Sequence, residues 1–166
     1  MPKRRRVAIA VAGLLGSTAA ILAMNTTMPI PASAHEDHGR LSAGEPGDPK
    51  KPARAINVRM FEGGGKMGFE PAQIQVRRGE QVRFVLPNDG EEDHEFMLAT
   101  VSENRKHAEV MKKYPEMEHD DPNGKRILPH GSAELVWKFT KRGKFEFACL
   151  IPGHYEKGMF GTIVVK

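Results

Sequence analysis

From Ala53 onward the chain alternates apolar and polar residues in short runs. "AINVRMF" (55–61) places Ile56, Val58 and Met60 on one face, "QIQVR" (73–77) does so with Ile74 and Val76, and "QVRFVL" (81–86) with Val82 and Phe84. The runs "HEFMLA" (94–99), "AELVWKF" (133–139), "KFEFACL" (144–150) and "FGTIVVK" (160–166) follow. Each has period-two or continuous apolar character and is bounded by turn signals such as "RRGE", "PNDG" and "KRGK". Short strands at this spacing predict an all-β domain over residues 53–166, either an antiparallel sandwich or a small barrel.

Three segments depart from that texture. Residues 102–126, "SENRKHAEVMKKYPEMEHDDPNGKR", follow helical spacing as far as Tyr114, where Pro115 stops the helix; a long loop should complete this insertion between two strands. Residues 35–52, "HEDHGRLSAGEPGDPKKP", are polar, rich in Gly and Pro, and read as a flexible arm. Residues 1–34 combine the basic "MPKRRR", an apolar stretch from Val7 to Met24 and the small-residue site "ASA", the form of a secretory signal peptide cleaved after Ala34. A retained membrane anchor is the competing reading of that stretch; the polar "NTT" and the cleavage site favour removal.

Export changes the meaning of the charge. The chain carries 25 Lys and Arg against 21 Asp and Glu, and the excess equals the four cations of the leader: Lys3, Arg4, Arg5 and Arg6. The remainder is balanced and offers no basic surface for nucleic acid. It also holds a single cysteine, Cys149. An exported chain cannot pair one cysteine internally, and a free thiol in an oxidising compartment is a liability unless something occupies it.

Cys149 is followed by His154 and Met159 in "CLIPGHYEKGM", between two predicted strands. A strand–loop–strand hairpin of this length can gather all three side chains around one point. Thiolate, imidazole and thioether together suit copper, and two His with one Cys and a weak Met make a blue-copper electron-transfer site. Of the other histidines, His94 fits best as the second imidazole, since it opens a strand after the "PNDGEED" turn. Taken singly, a buried Cys or Met is usually packing and a lone His a surface residue. It is the combination, in an exported β-protein, that argues for metal. Zinc is the alternative, but Met is a poor zinc ligand and structural zinc sites generally use several cysteines.

The segment "CLIPGHYEKGMFGTIVV", with "HEF" and "FEPAQIQVRRGEQVRFVLPN" upstream, resembles the cupredoxins of the plastocyanin and azurin family over residues 54–166. The resemblance implies a Greek-key β-sandwich with one type 1 copper, held by His94, Cys149, His154 and Met159. Family members commonly have Asn directly after the first His, where this chain has Glu95. The insertion and the His-containing arm are further departures, shared with periplasmic cupredoxins associated with copper tolerance.

A saturated site of this kind leaves no open position for substrate, so the expectation is an electron carrier and not an enzyme. His154 should present an edge for electron exit, ringed by Ile151, Pro152 and Met159 or Phe160. The partner would be a redox or copper-handling protein of the periplasm, met by a monomer. The acidic run Glu91, Glu92, Asp93, Glu95 could steer a basic partner, although such runs are more often solvated turns. A second set, His107, Met111, Met117 and His119 in the insertion with His35 and His38 in the arm, could hold further copper. The plainer reading has Met111 and Val110 pinning the helix, the histidines solvated and the arm disordered. If the accessory residues do bind, the protein sequesters or delivers copper instead of shuttling electrons.

Overall fold

The computed structural model describes residues 41–114 and 120–166. The leader, His35, His38, Met117 and His119 lie outside the described residues. Among those described, eleven strands and one helix are formed. The strands are β1 (Glu45–Pro46), β2 (Arg54–Asn57), β3 (Arg59–Gly63), β4 (Lys66–Glu70), β5 (Gln73–Val76), β6 (Gln81–Pro87), β7 (His94–Ala99), β8 (Gly124–Ile127), β9 (Ser132–Lys138), β10 (Gly143–Ala148) and β11 (Phe160–Val165); α1 (Val101–Lys113) follows β7.

One sheet has the order β1-β9-β6-β2 and the other β5-β11-β10-β7-β8, with β3-β4 as a separate ribbon. The inward positions of the alternating runs meet between them: Val82, Phe84 and Leu86 from β6, Leu135 and Trp137 from β9, Ile74 and Val76 from β5, Ile163 and Val165 from β11. Phe96 of β7 and Phe147 of β10 stack with centroids 5.1 Å apart, and Phe69 of β4 meets both edge-on. Aromatic pairs in these geometries add about 1 kcal/mol each beyond the area they bury.

The β-sandwich with one inserted helix is as expected, but four details differ. The sheets are mixed, because β2 pairs parallel with β6 and β5 parallel with β11. The run 55–61 is not one strand: it splits at Val58, whose N–H goes to Val85 O at 2.8 Å while β3 leaves to pair with β4. The end of the insertion is strand β8, with Arg126 opposite Glu95 and Ile127 opposite His94. Its charged residues hid it, since only Gly124 and Ile127 are buried. Finally, the arm is packed from Ala43 onward. β1 pairs with β9, Trp137 Nε1 donates to Ala43 O at 3.2 Å, and a Cβ at Gly44 (φ 142°) would sit 2.2 Å from Lys138 O. A residue that close to another backbone must be glycine.

The helix begins as its sequence directs. Thr100 caps it, accepting from Glu103 N at 3.3 Å while the Glu103 carboxylate accepts from Thr100 N at 2.9 Å, a closed capping box. Asn104 and Met111 are its buried positions. It covers the outer face of β7 and β10, which explains why all six residues of β7 are buried.

Candidate metal centre

β7 and β10 are antiparallel neighbours, with Met97 opposite Ala148 and Leu98 opposite Phe147. That register puts the first residue of β7, His94, alongside the chain leaving β10 at Cys149. The hairpin from β10 to β11 is closed by its own backbone: Cys149 N donates to Met159 O at 3.0 Å, and Met159 N to His154 O at 3.2 Å. Between them His154 N bonds Ile151 O (3.1 Å) and Lys157 N bonds His154 O (3.1 Å), folding the loop inward. The ligand atoms of His94, Cys149 and His154 consequently lie within 4.8 Å of one another, all three residues buried. Among the described residues this is the one such group of His, Cys, Asp and Glu.

Its internal geometry is informative. His94 Nδ1 and His154 Nδ1 are 3.3 Å apart, and Cys149 Sγ is 3.4 Å from His154 Nδ1. The two Nε2 atoms point away, each towards a carboxylate. Glu92 Oε2 is 3.2 Å from His154 Nε2. Glu62 Oε1 is 3.0 Å from His94 Nε2, close enough for an ion-pair contact but off the direction of a hydrogen bond. Carboxylates at both outer nitrogens favour the Nε2–H tautomer, an assignment made from the partners. Two bare Nδ1 lone pairs then face each other beside a sulfur, and such a centre calls for a cation. The donors therefore fit a soft or borderline metal ion.

Burial sets the protonation of the free site. It pushes the Cys149 thiol up to about 12, and the N–H of Glu95, 3.3 Å from the sulfur, only partly opposes it. Burial also depresses both imidazoles; the facing His154 depresses His94 further, while Glu62 and Glu92 pull the other way. Without metal the site is thus neutral thiol and neutral imidazoles, and a bound cation must displace the thiol proton.

The chain as a whole is similar to known proteins. A family model for copper-binding proteins of the plastocyanin/azurin family matches residues 56–166. The chain belongs to this family. It is 44% identical to the copper-resistant cuproprotein CopI of Rubrivivax gelatinosus over 162 residues, 98% of this chain and 96% of the relative. It is 33% identical to the CopI protein of Pseudomonas aeruginosa, over 89% of this chain and 95% of that one. Among solved structures, auracyanin B shares the fold with a TM-score of 0.62 at 19% identity, over 76% of this chain and 99% of its own. Family and donor set together support one copper centre in this cupredoxin.

Met159 is fully buried and packs in the same core cluster as Cys149. It does not join the surface expected around His154, where Pro152 and Phe160 are exposed. Nor does His154 present an open edge: it is 5% exposed and its outer nitrogen lies under Glu92. Glu95, where Asn was the expectation from the resemblance, itself ties the two ligand segments: its N–H meets Cys149 Sγ and its Oε2 accepts from Leu150 N at 3.3 Å. Of the accessory residues, Met111 is buried against the sheet, lining a 320 Å³ cavity with Glu95 and Met97. His107 is not solvated but half-buried, with Nε2 4.0 Å from Glu95 Oε1.

Sequence reasoning passed over two groups, Glu62 and Asn88. Asn88 Nδ2 donates to Glu92 O (2.8 Å), Leu128 O (3.1 Å) and Ile127 O (3.2 Å), while its Oδ1 accepts from Gly90 N (2.9 Å). It holds the turn that delivers Glu92 and His94. The "PNDG" motif marked a turn, but the reach of Asn88 to β8 depends on long-range packing.

Proposed function

We propose that this chain is an exported, periplasmic type 1 copper protein that carries single electrons and serves copper tolerance. The observation that carries the reading is the buried convergence of His94 Nδ1, His154 Nδ1 and Cys149 Sγ in a family whose model is defined by copper binding. The proposed fourth ligand is the Met159 thioether. Its support is the backbone closure that sets residue 159 across from residues 149 and 154, together with the burial of its side chain. When bound, copper supplies a one-electron couple between Cu(I) and Cu(II).

What the chain itself does is hold the donors still. Cys149 and Met159 are fixed by the hairpin, His94 by β7, and Glu95 ties β7 to the ligand loop through Leu150 N. A site that cannot relax towards either oxidation state's preferred geometry keeps reorganisation small. Burial excludes water, so no solvent ligand completes the site and no substrate is turned over there. Export is supported by the leader pattern of residues 1–34; no helix among the described residues is long and apolar enough to cross a membrane. The link to tolerance is supported by the copper-resistance relatives, similar over nearly their whole length.

The test is a copper titration of residues 35–166, following visible absorption and total bound metal. One equivalent should produce an intense thiolate-to-copper band, abolished in Cys149→Ala and shifted in Met159→Leu. Absence of the band, with Cys149→Ala binding copper equally well, would overturn the assignment. Further colourless equivalents lost in His107→Ala or His119→Ala would favour sequestration or delivery over electron transfer.

A further inference from the structure

Both candidate imidazole ligands have a carboxylate at the nitrogen that faces away from the centre, and the two carboxylates are linked. Glu62, on β3, has its Oε1 3.0 Å from His94 Nε2, and the same oxygen accepts from Glu92 N at 2.9 Å. Glu92, in the turn before β7, has its Oε2 3.2 Å from His154 Nε2. The turn is shaped to admit them. A Cβ at Gly90 would lie 2.2 Å from Glu62 Oε1 and 3.1 Å from His94 Nε2, so the missing side chain is the space the carboxylate occupies. Asn88 secures the other end of the turn through Glu92 O. Ribbon, turn and ligand hairpin are thereby clamped together at the two imidazoles.

The geometry points to Glu62 and Glu92 as a pair of positioning carboxylates that fix both imidazoles as Nε2–H tautomers and bias the bound copper towards Cu(II), lowering its reduction potential. This rests on the copper assignment made above. The Glu92 carboxylate, bonded to the His154 N–H, raises the basicity of that ring's coordinating nitrogen and fixes its orientation, while Glu62, 3.0 Å from His94 Nε2 but off the hydrogen-bond direction, acts there through its charge. Two negative charges just outside the ligands also favour the metal's higher charge; the partly buried Glu62 is screened less by water than the half-exposed Glu92. Both effects act more strongly on Cu(II) than on Cu(I), so they add. Glu91, of the same turn, bonds exposed His130 at 3.2 Å and marks what a mere surface charge would do.

The experiment compares wild type with Glu62→Gln, Glu92→Gln, the double variant and Glu91→Gln. Glutamine keeps the size and one acceptor oxygen but removes the charge. Reduction potentials of the copper-loaded proteins are measured alongside ¹⁵N spectra of the imidazoles in the metal-free proteins. Each of Glu62→Gln and Glu92→Gln should shift the relative preference for Cu(I) by about tenfold, a rise of about 59 mV for a one-electron couple. The double variant should rise further, and Glu91→Gln should stay at the wild-type value. Metal-free wild type should show Nε2–H at both His94 and His154. The proposal is overturned if the Glu62 and Glu92 variants move no more than Glu91→Gln, or if either imidazole of the metal-free wild type is Nδ1–H. If wild type develops no thiolate-to-copper band, the copper assignment fails and the effect on potential falls with it. The tautomer spectra, needing no metal, separate that failure from a failure of the carboxylate pair.

Discussion

Cys149 is the residue at which burial, charge and function meet most directly. Its thiol is held neutral by desolvation, with a pKa raised from 9.0 to about 12. A raised folded-state pKa stabilises the fold below the unfolded value and loses that contribution as pH climbs towards the folded one. Metal-free protein should therefore lose about 1.4 kcal/mol per pH unit from this group above pH 9. Denaturant midpoints of wild type should fall more steeply over pH 9–11 than those of Cys149→Ala; parallel curves would contradict the assignment of a neutral buried thiol. The histidines act with the opposite sign. His94 and His154 are depressed, so their contribution is present above pH 6.5 and lost as pH falls through their lowered values. Asn88 offers a second prediction at this scale. It is 1% exposed and bonds the backbone of its own turn and of residues 127 and 128. Asn88→Ala should leave the buried Ile127 carbonyl and Gly90 N–H without this partner and cost about 2 kcal/mol, read as a lowered unfolding free energy.

Elements were legible where their pattern was local, and obscure where a partner defined them. The helical spacing to Tyr114 and the stop at Pro115 lie within one stretch, and α1 forms at Val101–Lys113, begun by a capping box at Thr100 that the reading from residue 102 passed over. Thr100→Ala should cost about 1 kcal/mol. The helix also reaches the ligand loop. Asn104 Nδ2 donates to Glu146 Oε1 at 3.0 Å, and Tyr155 OH donates to Glu146 Oε2 at 3.0 Å. A thermal melt that drops for Thr100→Ala while the copper band holds would place the helix's role in stability. β4 and β8 were hidden for the opposite reason. "KMGFE" offers only the single alternation of Met67 and Phe69 beside three consecutive glycines, and "GKRI" shows only one apolar side chain, both too little to announce a strand; β3 and β7 make them strands. The candidate site divides in the same way. Cys149, His154 and Met159 share one hairpin and its spacing announced them. His94 could be chosen because it opens a strand, but the contacts of Glu62 and Glu92 needed the ribbon to fold over the turn.

At the scale of the molecule, the proposed ligands join segments far apart in sequence, His94 at the start of β7 and the other three in the β10–β11 hairpin. The unfolded chain cannot bring them together without first forming both, so copper should bind the folded state far more tightly than the unfolded one. Binding free energy then appears as folding free energy. At free copper one hundredfold above its dissociation constant, the gain is about 2.7 kcal/mol. For a domain of this size that corresponds to roughly 10 °C in melting temperature. Loaded protein should melt higher by that order, fall back when a strong chelator strips the metal, and regain the difference on reloading. Cys149→Ala should show a much smaller copper-dependent shift, because the thiolate is the donor whose deprotonation the metal must drive. A loaded protein that melts with the metal-free one, or a Cys149→Ala variant stabilised as strongly as wild type, would mean that copper binds elsewhere on the chain and that the buried centre contributes nothing to holding the sandwich together.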